Sequence, residues 1–399
     1  MPTRLRKLEN MTKTIAAIVI AVTIGASNAS AQTVSDALTF LMTNQSVSTG
    51  DFERDRSAAE ATSATMQRAL LANLATLPVA TSSSGFLYRL NPELGTVERA
   101  SQNFGPFFVE RALTAGRHQA SVGLTLQELR FTSLDGRNLR DGSLVTTANQ
   151  FVDESAPFDA DRLTLDINAH IATLYANVGV TDWMEVGVAA PMVDLTLDGT
   201  RMDTYRGRTF TQAHATARAI GLADLVARMK ATLYHDGGAG VATAAEVRFP
   251  TGRQEDLLGT GTASAKFSAI GSLESGRMST HANAGVTVGG LARELSYGGA
   301  LAFAVTPKAT VTAELLGRWI DGGGHIIDVS QPHPTLQGVE TTRLVPDGSA
   351  LQMITFAPGF KWNVTDTWVL AANIALPLTS GGLTARVTPF VGLDYAVGR

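Results

Sequence analysis

Leu163-Thr164-Leu165-Asp166-Ile167-Asn168-Ala169-His170-Ile171 alternates without a break, apolar at every odd position and polar at every even one. A period of two sends successive side chains to opposite faces, so this stretch is a β-strand with one oily and one polar face. The scheme returns in Ala223–Leu233, in Val241–Phe249 and in Val311–Leu315. Twelve such runs fill the chain from His118 onward: 118–131, 162–180, 183–197, 219–234, 239–249, 262–273, 278–288, 294–305, 309–320, 350–363, 368–378 and 383–397. They are longer than most soluble strands need and suit a tilted strand crossing a bilayer, which takes about 9–11 residues.

The connections between runs obey a parity. Short ones follow even-numbered runs: Thr181-Asp182, Asp236-Gly237-Gly238, Glu274-Ser275-Gly276-Arg277, Thr306-Pro307-Lys308 and Thr365-Asp366-Thr367. Every long one, at 132–161, 198–218, 250–261 and 321–349, follows an odd-numbered run, although those at Gly289-Gly290 and Ser380-Gly381-Gly382 are short. Long loops on one membrane face and tight turns on the other are the outer-membrane pattern. Trp183, Trp362 and Trp368 flank short turns, with Tyr175, Tyr234 and Tyr395 at equivalent strand ends, as an interfacial aromatic girdle requires. The fold predicted is all-β: an antiparallel transmembrane β-barrel of about twelve strands, preceded by a short helical and hairpin segment.

The N-terminus carries a different signal. Arg4, Arg6, Lys7 and Lys13 precede an apolar core from Ile15 to Ile24, then Ala29-Ser30-Ala31. This reads as a secretory signal peptide over residues 1–31, cut before Gln32, with Met11 as an alternative start. Residues 32–112 form the next unit. Val34–Met42 and the Gly- and Pro-free Ser57–Leu77 show helical spacing, and two short runs around Asn91-Pro92…Gly95 suggest a hairpin. This segment either stays in the periplasm or folds into the barrel mouth as a plug, with the barrel itself over 113–399. The whole chain has net charge −4. Removing 1–31 takes away four basic residues and one acid, so the mature charge is −4 − 3 = −7. An acidic exported chain has no electrostatic case for nucleic acid. With no cysteine, hydrogen bonding and packing must hold the fold without disulfides. No run of 18 apolar residues follows residue 31, which excludes inner-membrane helices.

Strict alternation assigns the faces. The lipid side receives Leu163, Leu165, Ile167, Leu225, Met229, Leu233, Val247, Phe249, Phe303, Val305, Val311, Leu315, Ile374 and Leu376. The lumen receives Asp166, Asn168, His170, Glu185, Asp224, Arg228, Lys230, Glu246, Arg248, Lys266, Glu314, Arg318, Lys361, Arg386 and Asp394. A charge facing lipid near the midplane costs about 2–4 kcal/mol, so charges confined to one phase reflect a constraint. Their near balance of sign favours a salt-bridge lattice filling a narrow barrel; a selectivity lining for a polar or anionic solute is the other reading. Twelve strands leave room for a small solute and not for a folded protein.

Enzymatic and metal chemistry find little footing. There is no G-x-S-x-G, and His170 and His281 stand alone in alternating runs, where hydrogen bonding in the lumen is the simpler role. Gly259-Thr260-Gly261-Thr262 with Lys266 lacks the Gly-Lys-Ser/Thr ending of a phosphate loop and precedes a strand. His325, Asp328 and His333 are irregularly spaced beside Pro332 and Pro334, as in a solvated loop rather than a metal site. No cofactor is expected.

Residues 84–131 followed by Thr132–Gly136, with Tyr175–Pro191, Asp224–Lys230 and Glu246–Gly261, resemble the bacterial outer-membrane transporter family labelled "MetA-pathway of phenol degradation". The likeness runs over roughly 84–399 and leaves 32–80 unplaced. It implies a barrel associated with aromatic catabolism. The chain departs from common outer-membrane practice by ending Tyr395-Ala396-Val397-Gly398-Arg399 rather than on an aromatic residue. The expected function is passive uptake of a small, aromatic or otherwise hydrophobic, compound, with outer-membrane lipid and the outer-membrane assembly machinery as partners. The alternative is a closed structural or adhesive barrel.

Overall fold

The computed structural model describes residues 32–48, 50–74, 88–91, 96–99, 103–322, 325–365 and 367–397; the expected signal peptide lies outside them. Two helices come first. Helix α1 (Val34–Thr43) starts where the Thr33 hydroxyl accepts the Asp36 N–H at 3.1 Å, an N-cap that satisfies one of the unpaired first-turn donors. Its face of Val34, Ala37, Leu38, Leu41 and Met42 is buried. Helix α2 (Phe52–Leu74) starts five residues before the expected run, because Asp51 accepts the Arg54 N–H at 3.1 Å and caps it. Strands β1 (Tyr88–Asn91) and β2 (Thr96–Arg99) pair antiparallel as the expected hairpin; its Pro92–Gly95 turn lies outside the described residues.

The remaining strands are β3 (Ala120–Leu134), β4 (Arg137–Asn138), β5 (Leu144–Phe151), β6 (Asp159–Gly179), β7 (Met184–Tyr205), β8 (Arg208–Leu222), β9 (Leu225–Asp236), β10 (Ala239–Phe249), β11 (Ser264–Ser275) and β12 (Met278–Gly289). They continue with β13 (Glu294–Thr306), β14 (Ala309–Ile320), β15 (Ile326–Pro332), β16 (Val339–Pro346), β17 (Leu351–Thr365), β18 (Trp368–Pro377), β19 (Leu383–Ala385) and β20 (Thr388–Val397). The sheet is a closed antiparallel barrel. Strand β7 pairs with both β8 and β9, so those two make one long barrel strand interrupted at 223–224, opposite Pro191, which has no N–H to give the ladder. Strands β19 and β20 likewise share the twelfth staff, which closes on β3. The count is twelve, each at an expected run.

The outer face carries one continuous apolar belt. Val122, Leu124 and Leu126 on β3, Val311 and Leu315 on β14, and Val391 and Leu393 on β20 are exposed large hydrophobics, as are Phe267, Phe303, Phe356 and Phe360. Trp183, Tyr234, Trp362 and Trp368 are exposed at the short-turn edge of this belt, and Trp368 lies 4.7 Å from Tyr395 between ring centroids. Tyr175 does not belong to the girdle. It points inward, is buried, and its hydroxyl bonds the Asp394 carboxylate across Gly123. A side chain at 123 would occupy the position of that ring.

At the long-connection end the wall stands beyond the belt. There β3, β6, β7 and β8 continue with polar residues outside and apolar residues inside, the reverse of the membrane arrangement. Leu163, Leu165 and Ile167, expected against lipid, are 0%, 1% and 0% exposed; they face α1, α2 and their surroundings with Phe131, Leu195 and Leu197. Water outside and helices inside explain the inversion: the oily face follows whichever side is dry. The connection expected at 198–218 is no loop. Strands β7 and β8 run to Tyr205 and Arg208 and turn on Arg206 (φ 47°) and Gly207 (φ 77°), two positive-φ residues that suit a tight hairpin. Gly199 lets the wall close on α1, since a Cβ there would lie 2.2 Å from Leu41 Cδ1.

The two longest connections fold over this end and join each other. Strand β5 pairs with β6 on one side and with β16 on the other, and β15 pairs with β16. Asp55 of α2 meets Arg343 of β16 at 3.0 Å, and the Thr62 hydroxyl donates to the Leu344 carbonyl at 2.9 Å. Both helices therefore sit inside the mouth of the barrel at the end away from the tight turns.

Candidate functional site

Segment 103–117 enters the interior at the other end without regular structure, so its backbone groups need side-chain partners from the wall. The inward phase of the strands supplies them. The Phe107, Phe108 and Val109 N–H groups donate to the Glu314 carboxylate at 2.6, 2.8 and 2.8 Å. Lys361 Nζ donates to the Pro106 carbonyl at 2.6 Å. The Ala112 N–H donates to Ser272 Oγ at 2.8 Å, and Thr232 Oγ1 to the Ala112 carbonyl at 2.6 Å. The Ala115 N–H donates to Glu185, which pairs with Lys230 at 3.0 Å. Phe107 and Phe108 stack edge-on with Phe390, their centroids 5.8 and 4.9 Å from its ring. His281 closes a short polar chain, 2.8 Å from Ser272 Oγ and 2.9 Å from Ser279 Oγ.

Between this segment and α2 lies a cavity of about 220 Å³. One wall is a row of charges: Glu110, Arg228, Glu246, Arg248, Lys266, Glu294 and Arg318. Arg228 pairs with Glu110, Arg248 with Glu246 at 3.2 Å, and Arg318 with Glu294 at 2.6 Å while also donating to the Ala72 carbonyl at 2.9 Å. The row follows from register: Glu246 stands opposite both Arg228 and Lys266. The opposite wall is apolar, with Phe108, Leu129, Leu316, Met353, Ala375 and Phe390. Arg68, Ala69, Ala72 and Asn73 of α2 roof it.

The predicted lumen residues divide by position. Arg228, Glu246, Arg248, Lys266 and Arg318 line the cavity together. Glu185, Lys230, Glu314 and Lys361 face inward too, but grip segment 103–117. Asp224 and Asp394 are inward and structural: Asp224 accepts from the Gly252 and Thr260 N–H groups at 3.1 and 2.9 Å, tying down the connection after β10, and Asp394 holds Tyr175. Four do not line the lumen. Asp166, Asn168 and His170 lie on the outer surface of β6 beyond the belt, where Arg140 donates to Asp166 at 2.7 Å and to Asn168 at 3.2 Å. They follow the inverted phase of that wall. Arg386 is exposed because the chain bulges between β19 and β20, a register slip that turns both Arg386 and Val387 outward.

Glu294, Glu110 and Arg68 complete the cavity and were not singled out from sequence. Glu294 had a signal, since it shares the inward phase of Ser296 on β13; Glu110 and Arg68 lie outside any strand pattern. In the loops, His325 Nδ1 lies 2.8 Å from Asp135, and Arg137 pairs with Asp328 at 2.8 Å, so those residues knit one long connection to the other. No group of three or more metal-ligating side chains occurs among the described residues.

No family model and no curated protein matches the chain. Among solved structures it is similar to the COG4313 outer membrane channel from Pseudomonas putida F1, at 12% identity and a TM-score of 0.47, over 72% of this chain and 98% of that one. It is also similar to the KdgM porin solved with disordered oligogalacturonate, at 7% identity and a TM-score of 0.36, over 70% and 99%. A third is the outer-membrane protease OmpT from Escherichia coli, at 10% identity and a TM-score of 0.26, over 70% and 97%. With these identities and TM-scores under 0.5, none of the three carries an argument about this chain, and none has the phenol-pathway label. With its apolar belt and closed sheet, the chain is a twelve-stranded transmembrane β-barrel of the bacterial outer membrane.

Proposed function

We propose that the barrel is a passive channel for a small solute, with the N-terminal segment acting as a plug that narrows it at both ends. The observation that carries this reading is the two-faced cavity inside the barrel, charged along β9–β14 and apolar towards β17–β20. A purely structural interior would fill the space with side chains. A cavity with one polar and one oily wall is the form that small-molecule sites take. An aromatic or otherwise hydrophobic body fits the Phe108–Phe390 side, in keeping with the resemblance to the phenol-degradation family. Planar-bilayer conductance of the purified full-length chain tests the proposal. Small-ion conductance is expected, larger after deletion of residues 32–100; a chain that conducts nothing in either form is no channel.

A second reading rests on the mouth. Helices α1 and α2, with strands β5, β15 and β16, form one apolar cluster across that end. A barrel closed there would serve as a structural or adhesive element, acting through the connections 135–158 and 321–350. Conductance that appears only after the deletion would favour a permanently closed barrel in the membrane.

A further inference from the structure

The charge row in the cavity is unequal. Its lining and roof hold five basic groups (Arg68, Arg228, Arg248, Lys266 and Arg318) against three acidic ones (Glu110, Glu246 and Glu294), an excess of two positive charges in a chain whose net charge is −4. The arginines are engaged: three pair with the three carboxylates, and Arg68 donates to the Gly322 carbonyl at 2.8 Å. Lys266 stands in the middle of the row, opposite Glu246 on one side and Thr287 on the other. No carboxylate lies within 4.0 Å of its ammonium among the described residues.

We propose that the cavity takes small organic anions, with a carboxylate seated on Lys266 and an apolar body against Phe108, Leu316, Met353 and Phe390. This rests on the channel reading and narrows its solute class. Lys266 is half-buried in the cavity wall, and a partly desolvated ammonium with no carboxylate at ion-pair distance gains when an anion arrives. Lysine suits a passing guest because its ammonium is a compact point charge on a flexible stem, whereas the neighbouring arginine forks are already fixed on carboxylates. Ser264, Ser268 and Thr287 beside it supply neutral hydrogen-bonding groups that hold no competing charge. The oily wall opposite rejects small hydrated anions by offering them nothing in exchange for water, and rewards a ring or short alkyl body. An organic cation meets the positive excess and is turned away.

The test uses the full-length protein in planar bilayers with two salts of matched ring, sodium benzoate and benzylammonium chloride. Under a gradient of sodium benzoate, the reversal potential is expected to show benzoate more permeant than sodium; in benzylammonium chloride, chloride is expected to carry the current. Lys266→Gln should lower the benzoate-to-sodium permeability ratio about tenfold, as loss of a charge-assisted hydrogen bond implies, and Lys266→Arg should retain it. Sodium or benzylammonium as permeant as benzoate in the unsubstituted protein overturns the proposal while leaving the channel standing. So does a ratio that Lys266→Gln leaves unchanged. Absence of current in both salts and in potassium chloride removes the channel reading, and this inference with it.

Discussion

Arg201 and Asp161 meet at 3.2 Å inside the extended rim, with both side chains fully buried. Around them the C-terminus of α1 is held from two directions. Arg201 donates to the Leu41 and Met42 carbonyls at 2.8 and 3.1 Å, groups that a helix end leaves unpaired and that carry its negative pole. Asp161 accepts the Ser46 and Val47 N–H groups, each at 3.1 Å, and the Ser46 hydroxyl at 2.7 Å. Burial pulls the Arg201 guanidinium below its ordinary pKa, and the Asp161 charge opposes that shift. Removing one partner of such a pair strands the other, at a cost of about 3–5 kcal/mol. Asp161→Ala is therefore expected to free α1 while the barrel stays folded, exposing residues 32–74 to protease in intact detergent-solubilised protein. If the variant stays as protected as the parent, this pair is not the latch.

Glu314 does the same work at the opposite end. Three backbone N–H groups converge on its carboxylate, and each left unpaired in the interior costs about 1–3 kcal/mol. Glu314→Ala should loosen segment 103–117 and widen the passage beneath the cavity, raising single-channel conductance and its noise. Glu314→Gln keeps one acceptor oxygen and is expected to fall between the two. Equal conductance in all three proteins would mean that this segment does not limit flow.

The rim also carries a pH response. Asp159 stands at the outer end of β6, well beyond the belt, and its pKa is raised to about 6, first by burial and then by the Asp203 charge beside it. Folding thus favours the protonated acid. The stability it contributes is complete below the ordinary value of 3.8 and is lost as pH rises through about 6. Amide hydrogen exchange across 144–151 and 199–210, corrected for intrinsic rates, should be slower at pH 5 than at pH 7.5. Asp203→Asn, by removing the repelling charge, should flatten that difference; an undiminished difference would assign it to another group.

These relationships show where sequence reading succeeded and where it lost its footing. Within the belt, one side of the wall is always lipid, so alternation alone reports orientation, and Val311, Leu315, Glu314 and Lys361 fall as the period demands. Beyond the belt the same LTLDINAHI pattern is honoured with its faces exchanged. Period two tells which residues share a side, never which side is wet. The segment that reverses the assignment, α1 and α2, was legible as helices from its spacing, yet nothing in that spacing says it lies inside the barrel. Arg201 and Asp203 misled for a related reason: as inward polar residues they broke the apolar phase, so a hairpin looked like a loop. The cavity was partly visible, since six of its eight charges lie in strand phase, but Glu110 and Arg68 arrive from outside the sheet and leave no periodic trace.

The exchanged faces give a sharp prediction at matched positions. Leu315 on β14 is 47% exposed in the middle of the belt, and Asp166 on β6 is exposed beyond it, although strict alternation puts Leu315 in lipid and Asp166 in the lumen. Leu315→Arg sets a charge in hydrocarbon and should destabilise the folded barrel by about 2–4 kcal/mol. Asp166→Leu loses the ion pair to Arg140, in which both side chains are more than a third exposed, and the exposed hydrogen bond from Asn168 at 2.8 Å, so an effect within about 1 kcal/mol is expected. Ile167→Asp, one residue along, instead buries a carboxylate among Phe131, Leu195 and Leu197 and should be severely destabilising, because an unpaired buried charge has no water to solvate it. Urea unfolding in detergent or lipid, followed by the heat-modifiable gel shift of the folded barrel, reads all three. Were Asp166→Leu as damaging as Leu315→Arg, and Ile167→Asp tolerated, β6 would carry the simple alternation after all and the helices would have to lie elsewhere.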